Sequence, residues 1–239
     1  MAAKLKMNKV KELIKSLLGV KRPKGYEWYP YQKTYFGQEG EDIILEQIFG
    51  NKKTGFYIDV GAHHPFKYSN TFLFYLKGWR GINIDPLPGS MALFKKYRQK
   101  DLNLEIAVSE KKGVKTYYMF SIPELNGFKR NTVLNKNQRK EFPLIGKTNV
   151  KVDTLNSILR KNYQRPPSID FLSIDTEGHE IQVLRSIDLD KYSPRAICLE
   201  DRNAEKQDLS KSNVAEYLNK KGYRNFTKTM HSLFFIKNP

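Results

Sequence analysis

A chain of 239 residues, 39% hydrophobic and 13% aromatic, carries enough apolar side chain for one sizeable core and does not require two. Lysine and arginine outnumber the acids 42 to 25, a formal net charge of +17, which directs attention to anionic partners. The one cysteine, Cys198 in the apolar run "AICLE", excludes a disulfide framework and fits a reducing compartment. No run approaches the roughly 18 to 20 uncharged apolar residues of a membrane span, and the first 25 residues are too charged for a signal peptide's apolar region.

Residues 1–25 nonetheless carry a helical pattern. Val10, Leu13, Ile14, Leu17 and Leu18 recur at helical spacing, Lys9, Lys11 and Lys15 lie off that stripe, and Pro23 and Gly25 end it. Residues 1–24 hold seven lysines and one arginine against Glu12, so they supply +7 of the +17. Such a basic amphipathic extension is expected either to lie on an anionic membrane surface or to pack against protein, its lysines solvated. Residues 26–239 read as one domain.

Along that domain, "EDIILEQIFG" predicts a helix with Ile43, Ile44, Gln47 and Ile48 on a mostly apolar side and Gly50 as its stop. "GFYIDV" predicts a buried strand, "SNTFLFYLKG" a helix, "GINID" a strand, "GSMALFKKYRQK" a helix and "LNLEIAVSE" a strand. "GVKTYYMF" looks like a further strand, after which residues 121–150 read as a polar, basic, irregular insertion. Alternation resumes with "VDTLNSILRKN" (helix), "IDFLSID" (strand), "GHEIQVLRSI" (helix), "RAICLED" (strand) and "SNVAEYLNKKG" (helix), and "YRNFTKT" and "SLFFIK" read as a terminal hairpin. This order predicts an α/β domain, a mainly parallel sheet covered on both faces with an antiparallel hairpin at its edge. Ligands of such sheets sit beyond the carboxyl ends of the strands, which here are Asp59, Asp85, Val108, Asp175 and Glu200.

The first strand-to-helix loop, "DVGAHHPF", has one glycine where a pyrophosphate-binding turn would use G-x-G-x-x-G, so a dinucleotide is disfavoured. S-adenosylmethionine presents a ribose diol, an adenine and a charged amino-acid end instead. The acid at the second strand tip, Asp85 before Pro86, suits the two ribose hydroxyls. Gly61 lets the backbone pass close to the methionyl part, with Asp59 beneath it as a polar orienter. Ser69, Asn70 and Thr71 offer amides and hydroxyls to a carboxylate, or serve simply to cap the helix.

"GQEGEDIIL", "YIDVGAHHPFKYSNT", "GWRGINIDPLP" and "IDFLSIDTEGHEIQVL", in this order, resemble the FkbM family of S-adenosylmethionine-dependent methyltransferases. The resemblance spans about residues 37–201. It implies a class I methyltransferase (Rossmann-like) fold and O-methylation of a hydroxyl on a sugar, a glycan precursor or a related natural product. It assigns the cofactor motif to Asp59, Gly61 and Ala62, the ribose acid to Asp85 and the adenine side to Ala107 and Val108. The D-x-E-G-x-E signature falls on Asp175, Glu177, Gly178 and Glu180. His63 and His64 follow the Gly-Ala pair where many members carry asparagine.

Methyl transfer to a hydroxyl needs close approach and removal of a proton. Asp175 is placed for that work. With Glu200 and Asp201 on the next strand tip it could also chelate magnesium or another divalent cation, which the resemblance allows without requiring. In a site without metal, His179 or His64 takes the proton, although His179, Glu177 and Glu180 also suit a helix's first turn with no catalytic part. The basic insertion, with Lys129, Arg130, Lys136, Arg139 and Lys140, suits a phosphorylated or nucleotide-linked sugar or a lipid-linked glycan, or is solvated. The expectation is a cytoplasmic enzyme, peripheral at the inner face of the membrane. Two other readings stay open. One is methylation of nucleic acid, which the basic charge invites but which weakens once +7 belongs to the extension; the other is a non-catalytic module that binds cofactor or glycan.

Overall fold

The computed structural model describes residues 33–129, 140–201 and 212–238. The amphipathic extension and Arg130, Lys136 and Arg139 of the insertion lie outside them.

Among the described residues eighteen elements follow one another. Helix α1 is Glu41–Phe49, β1 Phe56–Val60, α2 Phe72–Leu76, β2 Arg80–Ile84, α3 Met91–Tyr97, β3 Leu102–Leu104, β4 Ala107–Val108 and β5 Gly113–Phe120. A single 3-10 turn, Pro123–Leu125, precedes β6, Leu144–Asp153. Then come α4 Leu155–Asn162, β7 Phe171–Ile174, α5 Glu180–Arg185, α6 Leu189–Tyr192, β8 Ala196–Glu200, α7 Asn213–Lys220, β9 Tyr223–Lys228 and β10 Ser232–Lys237. Seven strands form one sheet in the order β3-β2-β1-β7-β8-β10-β9. The strands from β3 to β8 pair in parallel, and β10 runs antiparallel to β8 and β9. This is the expected α/β sheet with its antiparallel hairpin.

Strand parity divides the core. Ile58 and Val60 of β1, with Ile82, Leu172 and Ile174, pack under Leu155, Leu159, Val183 and Leu184 of α4 and α5. Tyr57 and Phe171 point the other way, into a cluster with Leu45, Phe49, Phe74 and Trp79. On α1 the fully buried positions are Leu45 and Phe49, with the acids Glu41 and Asp42; of the predicted side, Ile44 and Ile48 pack half-buried against the same cluster, Ile43 is half-buried and Gln47 is exposed. Leu45 and Phe49, on adjacent turns, meet the aromatic face of the sheet, with Ile44 and Ile48 at their flank.

Two predicted segments change partners. "LNLEIAVSE" is not one strand: β3 pairs with β2, whereas β4 joins a second sheet of order β4-β6-β5. Residues 144–150, predicted to be irregular, belong to the ten-residue strand β6, which also takes Val152 and Asp153 from the predicted start of the next helix. That helix starts instead at Leu155, where Thr154 Oγ1 accepts the N–H of Ser157 at 3.1 Å. Strand β6 buries Val150 and Val152 and, at its end, Asp153, and exposes Lys147, Asn149 and Lys151, so its apolar signal is too thin to mark a strand.

Candidate active site

In the seven-stranded sheet the chain order turns back between β1 and β7, since β2 and β3 lie to one side and β8 to the other. A crevice of about 660 Å³ opens there at the carboxyl ends of the strands, as expected for an open α/β sheet.

The tips of β1 and β7 touch. Asp175 N–H donates to Val60 O at 2.9 Å and Gly61 N–H to Ile84 O at 2.9 Å. Gly61 has φ +83°, and a Cβ built on it would lie 1.6 Å from the carbonyl oxygen of Asp175. Only glycine fits this pinch, so bare backbone lines the middle of the crevice.

Asp85 stands one strand away. Its Oδ2 accepts the N–H of His63 at 3.0 Å and its Oδ1 the N–H of Leu87 at 2.9 Å. Burial pushes its carboxyl up, opposed by those two N–H groups. Each oxygen keeps a lone pair for a further donor, and Pro86, Ala107 and Val108 continue the same wall. His63, held at φ +51° beside Asp85, and Asn70, whose Nδ2 donates to Ser173 Oγ at 3.2 Å, also border the crevice.

The segment "DTEGHE" turns sharply after β7. Glu177 has φ +54° and Gly178 φ +88°. The Glu180 carboxylate, at the start of α5, holds that turn by accepting Thr176 N–H at 3.1 Å, Thr176 Oγ1–H at 3.1 Å and Gly178 N–H at 3.0 Å. Glu180 thus shapes the loop, while Asp175 and Glu177 face the crevice. Glu200 at the tip of β8 joins them, and carboxylate oxygens of Asp175, Glu177 and Glu200 lie within 4.8 Å of one another. Such an oxygen set could hold a hard cation. Asp201 stands outside it, its carboxylate accepting from Ser212 Oγ. Water reaches Asp175 on the crevice floor, yet enclosure by the walls, and then the charges of Glu200, Glu177 and Glu180, hold its proton well above the ordinary carboxylate range.

Several predicted residues are placed off the crevice. Asp59 lies one residue short of the tip of β1, level with Asn83 and Ser173 on the neighbouring strands, and parity turns it inward. Its Oδ2 accepts from Thr71 Oγ1 at 2.7 Å, and Thr71 Oγ1 in turn receives Arg98 Nη2 at 3.1 Å. Arg98, fully buried, also donates to Tyr57 OH at 2.7 Å, to Asp101 at 2.9 Å and to the carbonyl of Pro65 at 3.2 Å. Asp59 therefore orients the loop from beneath, and burial pushes its carboxyl up to about 6 against the Thr71 hydrogen bond and the Arg98 charge. Ser69 Oγ accepts the N–H of Phe72 at 3.2 Å, which is the capping alternative, and Ala62 is buried against Met91 and Phe94.

Neither of the two histidines proposed as bases borders the crevice. His64 Nδ1 accepts the N–H groups of Phe66 and Lys67 at 3.2 and 3.1 Å. His179 Nε2 is 3.0 Å from Ser109 Oγ, under the ring of Phe128; burial, then the charges of Lys115 and Lys129, push it down to about 4. Lys129 reaches the carbonyl of Gly178 at 3.2 Å. Glu41, Tyr117, Phe128 and His231 also line the crevice without any strand-tip pattern to mark them; for Glu41, the "GQEGED" motif carries the signal.

Against known proteins, a family model described as "Methyltransferase FkbM domain" matches residues 59–225. No curated protein matches the chain.

Proposed function

Because the chain belongs to the FkbM methyltransferase family, it is a methyltransferase, and we propose that it moves the methyl group of S-adenosylmethionine to a hydroxyl of a sugar or glycan precursor. The observation that carries this reading is the pinch of Gly61 on Asp175 O beside the crevice-facing carboxylate of Asp85. A side-chain-free floor suits the narrow methionyl part, and an acid with lone pairs to spare suits a ribose diol. The residues present fit the cofactor. When bound, it supplies an electrophilic methyl carbon on a sulfonium. The chain's own part is to hold donor and acceptor close and in line, which accounts for much of the rate gain in such displacements, and to receive the hydroxyl proton.

Lining residues favour an uncharged acceptor over a phosphate. Asp85, Asp175, Glu177 and Glu200 face the crevice, and among the described residues no lysine or arginine does. The same acidity disfavours a nucleic-acid backbone, which basic side chains must meet. If a cation takes part, Asp175, Glu177 and Glu200 would hold it and it would lower the acidity barrier of the acceptor hydroxyl. Among the described residues no helix is long and apolar enough to cross a membrane. The charge of residues 1–24 supports a peripheral, cytoplasmic placement, to be dropped if their deletion leaves adsorption to anionic vesicles unchanged.

Calorimetric titration of S-adenosylhomocysteine, with and without magnesium, tests the reading. Wild type should bind, and Asp85→Ala should lose about tenfold or more in affinity, the equivalent of about 1.4 kcal/mol. Equal affinity in both proteins, or none in the wild type, overturns it.

A further inference from the structure

The methyltransferase reading needs a proton acceptor, and four histidines are available: His63, His64, His179 and His231. His64 and His179 are turned away from the crevice, as described. His63 borders it at the ribose end, its backbone N–H on Asp85 and its Nε2 3.8 Å from Glu124. His231 borders it at the other end, on the turn between β9 and β10. Ser232, the next residue, pairs with Glu200, and the His231 carbonyl accepts the N–H of Asp201 at 3.0 Å. The ring is therefore carried beside the strand tip that completes the acidic group, away from the wall assigned to the nucleoside.

His231 does not sit on that turn alone. Its Nδ1 bonds Glu39 Oε1, and its backbone N–H donates to Glu39 Oε2 at 3.1 Å. Glu39 lies in the segment that leads into α1, 192 residues away in sequence. An ionised carboxylate can only accept, so Nδ1 must carry the hydrogen and Nε2 is the basic nitrogen of the neutral ring. Burial alone would raise the Glu39 carboxyl, but hydrogen bonds from Thr229 and His231 and the His231 charge outweigh it and hold Glu39 below the ordinary range. The pair thus has the arrangement of a base set in one tautomer by a carboxylate. The side chains are about one-third and one-fifth exposed, open enough for a substrate to reach the ring.

Resting on the proposed sugar O-methylation, we propose that His231 is the general base of this crevice and that Glu39 is its positioning residue. The acceptor O–H proton passes to Nε2 as the oxygen lone pair forms the new bond to the methyl carbon. The electrons of the methyl–sulfur bond return to sulfur, so the positive charge lost there reappears on the imidazolium, next to the Glu39 carboxylate. Asp175, on the crevice floor, is then left to orient the acceptor.

Asparagine separates this role from a structural tie. In His231→Asn the side-chain amide can still donate to Glu39, while the basic nitrogen is gone. The test follows transfer of tritiated methyl from S-adenosylmethionine to a panel of neutral methyl hexosides, with S-adenosylhomocysteine titration and thermal unfolding run in parallel. The expected result is a fall in kcat on the order of 100-fold in His231→Asn at unchanged S-adenosylhomocysteine affinity. Glu39→Gln, which keeps an acceptor but removes its charge, should lower kcat about tenfold with KM for the sugar unchanged. A folded His231→Asn variant, or His231→Gln should the first not fold, that keeps kcat within about tenfold of wild type overturns the assignment. Wild type that binds S-adenosylhomocysteine yet methylates no hexoside overturns the sugar reading and this base with it, and wild type that binds no S-adenosylhomocysteine overturns the cofactor reading beneath both.

Discussion

The carbonyl oxygen of Asp175 and the α-carbon of Gly61 are so close that a methyl group on the latter would lie 1.6 Å from the former. The obstacle is backbone, which cannot swing aside as a side chain would, and φ at Gly61 is +83°, so Gly61→Ala is penalised twice. The variant should lose about 2 to 4 kcal/mol in urea unfolding and at least tenfold in S-adenosylhomocysteine affinity, because relief of the clash must part the tips of β1 and β7. An alanine variant with wild-type affinity would show that these tips are not held together where the cofactor binds.

Asp175→Asn should separate stability from activity. Enclosure, followed by the charges of Glu200, Glu177 and Glu180, disfavours the ionised carboxylate, so a neutral isostere relieves the folded state. Water reaches the group and screens it, so the gain at pH 8 is set at about 1 kcal/mol rather than several. Methyl transfer should fall on the order of 100-fold in the same protein. Denaturant midpoints and initial rates measured on one preparation decide it, and a variant both less stable and fully active would refute the crowding argument.

Asp59 predicts a pH dependence of folding with a definite sign. Its ordinary value is 3.8 and its folded value about 6, raised mainly by burial. The folded chain holds this proton to higher pH than the unfolded chain, so the contribution is complete below about pH 4 and is lost as pH rises through 6. The loss between pH 5 and pH 7 is about 1 kcal/mol. Asp59→Asn carries no such proton, and the stability difference between it and wild type should shift in the variant's favour by that amount over this range. Urea unfolding at the two pH values checks this, and a constant difference would mean that Asp59 stays ionised beside Arg98.

What the sequence disclosed depended on whether a signal was local. The acids at the ends of β2, β7 and β8 are each announced by the apolar run before them, and Asp85, Asp175 and Glu200 do line the crevice. Asp59 follows the same rule of composition, yet one residue of β1 remains beyond it, and a single step along a strand exchanges faces. Its true neighbours, Thr71 and Arg98, are invisible to any reading of the strand alone. Strand β6 escaped because the only apolar side chains it buries are Val150 and Val152, and "LNLEIAVSE" concealed a change of sheet because alternation records exposure and not the identity of the partner. The Glu39–His231 pair joins a loop to a hairpin turn far along the chain, and no periodicity connects them.

Among the described residues the three strands β4, β5 and β6 share no ladder with the seven-stranded sheet, although Ala107, Val108 and Tyr117, which they carry, form a wall of the crevice. The wall proposed for the nucleoside and the strand tips that carry Gly61, Asp175 and Glu200 are accordingly borne on two scaffolds with separate hydrogen-bond frameworks. A change of sequence in β5 or β6 would therefore reshape that wall while leaving the register of β1, β2 and β7 as it is.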